Sequence, residues 1–384
     1  MQQKTVKVLG LGLNGIITAI SLANKKINVR IIEKFKTSSN NQLNDNRNIS
    51  LTLNSRNFFE KIELWDKLKE NCSEVKDIYV IDNKSPNFLH FENDKSDGVL
   101  GYMIPYSILF KTIFDIASKN EFIEIVYSDY DVVLEKDNYS IILNPEEASE
   151  TQSDDIIINC EGNRSKLRKF FQNFDFIKDY NQTALIFNIK HQSPHEGTAI
   201  EHFTPTGIFA SLPLKDEHES SIVWSLKNDF CDLYSGMEKD KFTYFVRDLL
   251  GEQLGEIEII TEIQKHNIMG QITSNYYNKN IVLVGDIAHS IHPLAGQGFN
   301  QGVKDIEEIS EIIKNVYNSG SRISQSDLIN YQKRRKANNI IMFLSVDFLN
   351  KFFVNDFPLF SKLRKYGLQI FNKFDFLKSK LIKN

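Results

Sequence analysis

The stretch that decides the fold runs Ile281-Val-Leu-Val-Gly285-Asp286-Ile-Ala-His289-Ser-Ile-His292-Pro293-Leu-Ala-Gly296-Gln297-Gly298-Phe299-Asn300-Gln-Gly302-Val-Lys-Asp305. Its first four residues are apolar, as in a parallel strand that is covered on both faces. The pair Gly285-Asp286 ends that strand, and a loop rich in Gly and Pro follows. Beyond the loop the apolar spacing becomes helical, with one face formed by Ile306, Ile309, Ile313 and Val316. A strand, a loop and a helix in this order predict an α/β fold.

The loop also predicts a ligand. Gly296 and Gly298 let backbone N–H groups approach an anion closely where the helix begins. Asp286, at the carboxyl end of a strand, lies where open α/β sheets bind their ligands. The pattern indicates a helix N-terminus directed at a group that becomes negative, beside a carboxylate that can hold a hydroxyl.

A second glycine motif opens the chain. The strand Thr5–Leu9 leads into Gly10-Leu-Gly12-Leu-Asn14-Gly15, a helical segment and a second strand that ends in Glu33. In a dinucleotide-binding motif the first glycine allows the tight turn, the second the approach of the pyrophosphate, and the third close packing of helix on strand. Glu33 stands about 20 residues beyond, where an acid accepts hydrogen bonds from a ribose.

The composition of the chain excludes several classes of protein. The chain has 384 residues and a net charge of −4, which is no general signature of nucleic-acid binding. Three cysteines without C-x-x-C spacing favour a reducing compartment over a disulfide framework or a zinc site. No signal peptide is recognisable, and no apolar run approaches the roughly 20 residues of a membrane span. We therefore expect a cytoplasmic protein.

The middle of the chain differs in pattern. Asp155-Ile-Ile-Ile158 is a third buried strand, followed by Glu161-Gly162. Residues 182–226 instead alternate as four strands, which is typical of an antiparallel sheet. Because parts of the cofactor fold recur at residues 1, 155 and 281, we expect this sheet to be inserted within it. The predicted domains are a discontinuous Rossmann-like cofactor domain of residues 1–71, 99–180 and 268–340, a substrate-binding sheet of 72–98 and 181–267, and a C-terminal helical segment of 341–384.

Three motifs carry a resemblance to a known family. They are Gly10 to Gly15 with Glu33, Cys160-Glu161-Gly162-Asn-Arg-Ser165-Lys-Leu-Arg168, and Gly285 through Asp305. The chain resembles the group A flavoprotein aromatic hydroxylases, whose fold is that of p-hydroxybenzoate hydroxylase. The string Ala-His-x-Ile-His-Pro-Leu-Ala-Gly-Gln-Gly-Phe-Asn is similar to that of the ubiquinone-biosynthesis hydroxylases, the 2-polyprenyl-6-methoxyphenol hydroxylase group. Shorter matches extend the resemblance over essentially the whole chain.

The resemblance implies an NAD(P)H-dependent FAD monooxygenase. Such enzymes form a flavin hydroperoxide with O2 and transfer one oxygen atom to a phenol ring, here a polyprenylated phenol of ubiquinone biosynthesis. Implied partners are that substrate and other proteins of the same pathway. The implied catalytic loop comprises Pro293, Gly296, Gln297 and Gly298. Implied contacts to FAD are Gly10, Gly12, Asn14, Gly15, Glu33, Lys34, Arg47, Glu161, Gly162, Gly285, Asp286, Pro293, Gly296, Gly298, Phe299 and Asn300.

The chain departs from the family pattern at three places. Glu161 replaces the usual Asp of an Asp-Gly motif, Pro105 and Tyr106 replace a Glu-Asn pair, and His202 stands where Arg is common. These departures keep two alternatives open: a flavin hydroxylase of a soluble aromatic acid, which would need an arginine for the carboxylate, and a flavin-binding scaffold subunit without turnover.

Several residues have two interpretations. His289 and His292 have the spacing of metal ligands, but no matching carboxylate or thiolate set accompanies them; we expect no metal and hydrogen bonds that brace the loop. Arg164, Lys166 and Arg168 are either solvated charges or nucleotide contacts. Of Glu201 and His202, neighbours on a strand, one is expected to face solvent and the other the substrate pocket.

The C-terminal segment is basic and aromatic. From Lys351 onward it holds eight Lys or Arg residues, two Asp residues and eight Phe or Tyr residues, a net charge of +6. Such a composition suits the surface of an anionic membrane, and the alternative is a helical cap on the cofactor domain. Both interpretations stay open and can hold together: a cap on the cofactor domain, and a peripheral association with the inner face of the membrane.

Overall fold

The structure is a computed structural model that describes residues 5–35, 45–82, 88–92, 98–135, 137–143, 155–171 and 176–354. The strands are β1 (Thr5–Leu9), β2 (Asn28–Glu33), β3 (Asn48–Thr52), β4 (Ser73–Val75), β5 (Asp77–Asp82), β6 (Phe88–Glu92), β7 (Gly101–Pro105), β8 (Ile123–Tyr127), β9 (Tyr130–Glu135), β10 (Asn138–Leu143), β11 (Ile157–Asn159), β12 (Phe176–His191), β13 (Thr198–Thr204), β14 (Gly207–Pro213), β15 (Glu219–Lys227), β16 (Ile257–Ile259), β17 (Gln264–Ile272), β18 (Tyr277–Asn278), β19 (Ile281–Leu283) and β20 (His289–Ser290). The α-helices are α1 (Leu13–Ala23), α2 (Leu53–Lys61), α3 (Trp65–Leu68), α4 (Tyr106–Ser118), α5 (Asn228–Ser235), α6 (Lys239–Leu250), α7 (Gln297–Asn318) and α8 (Gln325–Val354).

The first sheet has the strand order β18-β19-β11-β1-β2-β8. Strands β19, β11, β1, β2 and β8 are parallel, and only β18 runs antiparallel to its neighbour. The strands predicted at residues 5–9, 155–158 and 281–284 lie next to one another in this sheet, as β1, β11 and β19. Parallel strands covered by helices on both faces read as continuous apolar runs, which explains why the sequence marked them so clearly.

The second sheet is built from β20, β17, β12, β15, β14, β13, β5 and β6 in that order, and β16 pairs with β12. The alternating segments predicted between residues 182 and 226 are its strands β12 to β15. One face, with Leu185, Phe187 and Trp224, is buried under α5 and α6. The opposite face contacts β3, which forms a separate three-stranded sheet of order β3-β7-β4. Asn48 of β3 donates from Nδ2 to Asn188 Oδ1 at 3.1 Å and to Ser221 Oγ at 3.0 Å.

The predicted domain limits at 180 and 268 cut through strands of this second sheet. β12 begins at Phe176 and pairs with the whole of β17, which continues to Ile272. A register shift between Asp179 and Thr183 explains the error, because the bulge interrupts the alternation by which the strand was recognised. We propose limits near residues 175 and 273 for the inserted sheet.

The last described helix is longer than expected. α8 is continuous through residue 340, where the sequence had placed a boundary. Its start is a capping box, since Asp327 Oδ2 accepts from the Ser324 N–H at 2.9 Å and the Asp327 N–H donates to Ser324 Oγ at 3.4 Å. Of the basic, aromatic segment 351–384, only Lys351–Val354 lie within the described residues, as the last turn of α8.

Candidate active site

Four strand ends meet at one edge of the first sheet. The chain leaves β1 at Gly10, β2 at Glu33, β11 at Cys160 and β19 at Val284. All four strands are parallel, so the three sequence motifs come together at their carboxyl ends, where open α/β sheets bind ligands.

The first glycine motif packs closely against the chain at Gly10 and Gly15 and is open at Gly12. A Cβ on Gly15 would lie 1.9 Å from the Gly10 carbonyl oxygen, and one on Gly10 would lie 3.1 Å from the backbone of Cys160 and Glu161. Only glycine permits such close approach. At Gly12, by contrast, no atom lies within 4 Å of an added Cβ. The open side of the turn is therefore available to a ligand.

Glu33 and Lys34 follow β2 and differ in surroundings. Glu33 Oε2 accepts from the Leu11 N–H at 2.9 Å, so the carboxylate is fixed against the glycine turn. Lys34 forms an exposed ion pair with Asp129, with Nζ 3.0 Å from Oδ2. A contact between Lys34 and FAD stays a prediction, and it would have to replace this ion pair.

Asn14 joins the first motif to the third. A Cβ on Gly285 would lie 2.0 Å from Asn14 Nδ2, and Gly285 has a φ of +76° that other residues rarely adopt. Asp286 follows and is exposed to the cleft. The surrounding chain nevertheless withholds enough water to raise the pKa of its carboxyl above the ordinary value, against the opposite effect of His289 and Arg47.

Behind this turn lies a buried charged network that the sequence analysis missed. Asp305 of α7 accepts from Arg335 Nε at 2.6 Å and from the Gly285 N–H at 3.1 Å, and it contacts His289 Nε2 at 2.5 Å. All three side chains are almost fully buried. Burial alone would raise the pKa of Asp305, but His289 and Arg335 outweigh it and hold the pKa below its ordinary value. Arg335 thus holds α8 to the turn that carries Asp286.

The two histidines of the third motif brace the loop, as expected. His289 contacts Asp305, whereas His292 Nε2 lies 2.9 Å from Gln182 Oε1 of β12. The Leu294 N–H donates to His292 Nδ1 at 3.2 Å, which fixes the backbone on either side of Pro293. Burial lowers the pKa of His292 to about 4, so the imidazole is neutral and donates from Nε2. The two rings therefore bind different partners and do not form a common metal site.

The catalytic loop predicted from the sequence faces the cleft. Pro293 is exposed, and Gly296, Gln297 and Gly298 are half-buried at the start of α7. No atom lies within 4 Å of a Cβ placed on Gly298. Phe299 packs edge to face on Phe59 with centroids 6.4 Å apart.

The side chain of Asn300 forms four hydrogen bonds within the chain. Its Oδ1 accepts from the Thr52 N–H at 3.0 Å and from Ser55 Oγ at 2.6 Å, and its Nδ2 donates to the carbonyls of Ser50 and Gly296 at 2.8 and 2.9 Å. The side chain thus ties the loop to β3 and α2. A direct contact between Asn300 and FAD stays a prediction.

Arg47 lies close enough to Asp286 for each charge to shift the pKa of the other group. Its guanidinium forms an ion pair with Asp45, with Nη2 2.7 Å from Oδ2, and lies 4.9 Å from the centre of the Tyr106 ring. The Tyr106 N–H also donates to the Arg47 carbonyl at 2.9 Å. The departure from the family pattern at Pro105-Tyr106 thus places an aromatic face beneath the arginine, and Asp45 supplies the carboxylate.

Glu161 is held by two hydroxyl groups. Tyr130 donates to Oε1 and Ser165 Oγ to Oε2, both at 2.5 Å. Burial and the neighbouring Glu161 carboxylate raise the pKa of Tyr130, which keeps it a donor. The longer reach of Glu relative to Asp is therefore taken up by contacts within the chain. No atom lies within 4 Å of a Cβ on the adjacent Gly162, so that backbone is open to a ligand.

The second sheet forms the opposite wall. Along β12, β14 and β15 the positions on the face away from α5 and α6 are Ala184, Ile186, Asn188, Ile208, Ala210, Leu212, Ser221, Val223 and Ser225. None of these nine positions is Arg or Lys, and five are only half-buried. Ile208 belongs to an apolar cluster with Leu294 of the catalytic loop. Six of the nine side chains on this wall are apolar, and the other three are uncharged.

The pair Glu201 and His202 is split across the sheet. Glu201 pairs with Ala210 and lies on the wall that faces the cleft. His202 Nδ1 lies 3.1 Å from the Leu249 carbonyl of α6. The expectation that one of the two faces solvent is wrong, because His202 is buried between sheet and helix.

The site fits FAD on three observations. The backbone is open at Gly12, Gly162 and Gly298, where an added Cβ meets nothing. Asn14 Oδ1 is buried and has no hydrogen-bond partner among the described residues. Glu33 and Asp286 supply carboxylates at two ends of the cleft. Open glycines, an amide oxygen without a partner and acids at strand ends are what a ligand with phosphates and sugar hydroxyls requires.

Comparisons with known proteins agree with this geometry. A family model described as FAD binding domain matches residues 3–340. The ubiquinone hydroxylase UbiL of Rhodospirillum rubrum is 27% identical over 94% of this chain and 85% of its own length. The 3-demethoxyubiquinol 3-hydroxylase of Escherichia coli K12 is 23% identical over 100% of this chain and 98% of its own length. Among solved structures, p-nitrophenol 4-monooxygenase PnpA of Pseudomonas putida superposes with a TM-score of 0.78 at 15% identity, covering 99% of this chain and 97% of that one. The last match shows the p-hydroxybenzoate-hydroxylase-like fold.

Proposed function

The chain belongs to the FAD-binding domain family, and on that premise we propose that it is an NAD(P)H-dependent monooxygenase that hydroxylates the ring of a polyprenylated phenol in ubiquinone biosynthesis. The names of the relatives, ubiquinone hydroxylase and 3-demethoxyubiquinol 3-hydroxylase, support this class of reaction. The single observation that carries the choice of substrate is the apolar wall opposite the catalytic loop.

The wall favours a prenylated phenol over an aromatic acid. A carboxylate brought into this cleft would lose water and would need a basic partner there. The nine wall positions on β12, β14 and β15 supply none, and the guanidinium of Arg47 is already paired with Asp45. The apolar side chains of the wall suit a ring and an isoprenoid chain instead. The soluble aromatic acid is therefore the weaker candidate.

FAD, when bound, supplies the redox chemistry that activates O2. The residues of the chain position and shield it. The N–H groups at the start of α7 direct the positive end of the helix dipole at the cleft and stabilise negative charge there. Asp286 and Glu33 accept hydrogen bonds from sugar hydroxyls, and the packed cluster around Leu294 and Ile208 excludes water from one side of the cleft.

Substrate-gated reduction tests the proposal. Purified protein is mixed with NADH or NADPH without oxygen, and bleaching of bound flavin is followed with and without a short-chain prenylphenol. We expect the phenol to accelerate bleaching, because binding against the wall completes the site. A yellow protein that neither nucleotide bleaches under any phenol would support the scaffold alternative instead. The first reversion to examine would then be Glu161→Asp.

We also propose that the enzyme works at the inner face of the membrane, with the basic, aromatic segment 351–384 contributing to attachment. Its net charge of +6 favours an anionic surface. A chain that ends at residue 354 is expected to partition more weakly into anionic vesicles while retaining bound FAD. Equal flotation of the truncated and full chains would contradict this role.

A further inference from the structure

The outer face of α8 changes character halfway along the helix. Its exposed residues are polar or small up to Asn338, with Lys333, Arg334 and Ala337 on the same side. From there on most of the exposed positions are apolar: Ile341 is 63% exposed, Leu344 56%, Phe348 59% and Leu349 39%, and the exposed polar residues are Ser345 and Lys351. Ile341, Leu344 and Phe348 are three or four residues apart and form one stripe of the helix, which Leu349 borders.

The inner face of the same segment is mainly apolar. Phe343, Val346 and Phe353 are buried in a cluster with Phe203, Ile208 and Leu294, and the polar side chains of Asp347 and Asn350 are buried as well. The inner face therefore holds the helix to the rest of the protein, while large apolar side chains are exposed on the outer face. Exposed apolar patches of this kind mark interaction surfaces.

The stripe is extended by the start of β12. Phe176 is 55% exposed, and its ring packs edge to face on Phe343 with centroids 5.6 Å apart. We call Phe176, Ile341, Leu344, Phe348 and Leu349 the α8 patch. Five large apolar side chains on one side of the molecule exceed the scattered exposure that is ordinary for a surface.

Positive charge borders the α8 patch. Asp347 forms ion pairs with both Lys178 and Lys351, so two lysines share one carboxylate. Lys351 Nζ lies 3.1 Å from Asp347 Oδ2, and its side chain is 66% exposed. The two lysines carry one positive charge more than the carboxylate neutralises, and this excess attracts an anion to the edge of the patch. Apolar side chains rimmed by lysine are typical of a surface that lies on an anionic bilayer.

The patch is also connected to the active site. The helix turns that expose Leu344 and Phe348 bury Phe343 and Val346 in the cluster that includes Leu294 of the catalytic loop. Among the described residues, no helix combines the length and the apolarity needed to cross a bilayer, so a bilayer would be met at its surface.

We propose that the α8 patch docks on the surface of an anionic lipid bilayer. This inference rests on the proposed function for its substrate but concerns a surface of the folded enzyme, separate from the segment 355–384. Docking buries Leu344, Phe348 and their neighbours in the acyl boundary, and the lysine rim contacts lipid phosphates.

The test uses the full-length FAD-loaded protein and vesicles of phosphatidylglycerol and phosphatidylcholine. The double variant Leu344→Ser/Phe348→Ser is compared with Ala337→Ser/Asn338→Ser, which changes the polar half of the same outer face. We expect the first to partition about 10-fold to 100-fold more weakly and the second to partition as the wild type. Both are expected to retain FAD and to hydroxylate a soluble short-chain prenylphenol at the wild-type rate.

Three results would overturn the proposal. The first is unchanged partitioning of Leu344→Ser/Phe348→Ser. The second is a shift from dimer to monomer in sedimentation without loss of vesicle binding, which would make the patch an interface between two copies. The third is a fall in melting temperature with vesicle binding retained, which would mean that the chain's own C-terminal segment covers the patch. Failure of the proposed function would be seen separately, as absent hydroxylation of the soluble phenol in the wild type.

Discussion

Replacing Gly12 by valine is expected to weaken FAD binding by about 10-fold to 100-fold while leaving the unfolding of the FAD-free chain unchanged. The backbone of Gly12 is extended, with φ −83° and ψ −179°, so valine is tolerated there. No atom of the chain lies within 4 Å of an added Cβ. The added side chain would therefore collide only with the cofactor.

Gly15→Val is the matched comparison. Its Cβ would lie 1.9 Å from the Gly10 carbonyl oxygen, so this variant is expected to lose both FAD and stability. Flavin fluorescence titration gives the affinity, and urea unfolding of the FAD-free proteins gives the stability. Equal loss of stability in the two variants would show that the turn is not open on the side of Gly12, and the assignment of the ligand site would fail.

Replacing Arg335 by methionine is expected to lower the free energy of unfolding by about 3–5 kcal/mol, the cost of leaving a buried charge without its partner. Asp305 is fully buried, and Arg335 Nε lies 2.6 Å from its Oδ1. Because Asp305 also accepts from the Gly285 N–H, weaker FAD binding should accompany the loss of stability.

The neighbouring Arg334 provides the control. Arg334 Nη1 lies 2.7 Å from Glu308 Oε1, but its side chain is 67% exposed, so Arg334→Met should cost about 0–1 kcal/mol.

The pH dependence of the free energy of unfolding has a defined sign. A carboxyl whose pKa is depressed by folding stabilises the protein above its unfolded pKa, about 3.9, and loses that contribution as pH falls through the folded value. The difference between wild type and Arg335→Met should therefore shrink below about pH 4. Equal costs for the two arginines, or a difference that grows in acid, would contradict the network.

The sequence predicted those parts of the fold that depend on patterns among a few consecutive residues. β1, β2, β11 and β19 are apolar runs that end in glycine or acid, and each glycine motif marks a close approach within a few residues. The recurrence of these runs along the chain led to the prediction that the antiparallel sheet is inserted within the cofactor fold.

What escaped prediction depends on contacts between distant residues. Asp305 and Arg335 are 30 positions apart on different helices, and nothing in their local pattern distinguishes a buried ion pair from solvated charges. Tyr130 stands at the start of an unremarkable strand, and its contact with Glu161 arises because this strand packs against the core of the first sheet. The bulge in β12 hid the first residues of that strand. The S-x-x-D capping box at Ser324 was visible, and with no Gly or Pro before residue 354 it would have revealed the full length of α8.

The most direct test of the central claim is incorporation of labelled oxygen. The FAD-loaded enzyme is given a short-chain prenylphenol, the nucleotide that reduces it, and ¹⁸O₂ in unlabelled water, and the product is analysed by mass spectrometry. A monooxygenase predicts a ring-hydroxylated product that carries one ¹⁸O atom derived from the gas. Nucleotide oxidation without a hydroxylated product, or a product whose new oxygen comes from water, would contradict the account.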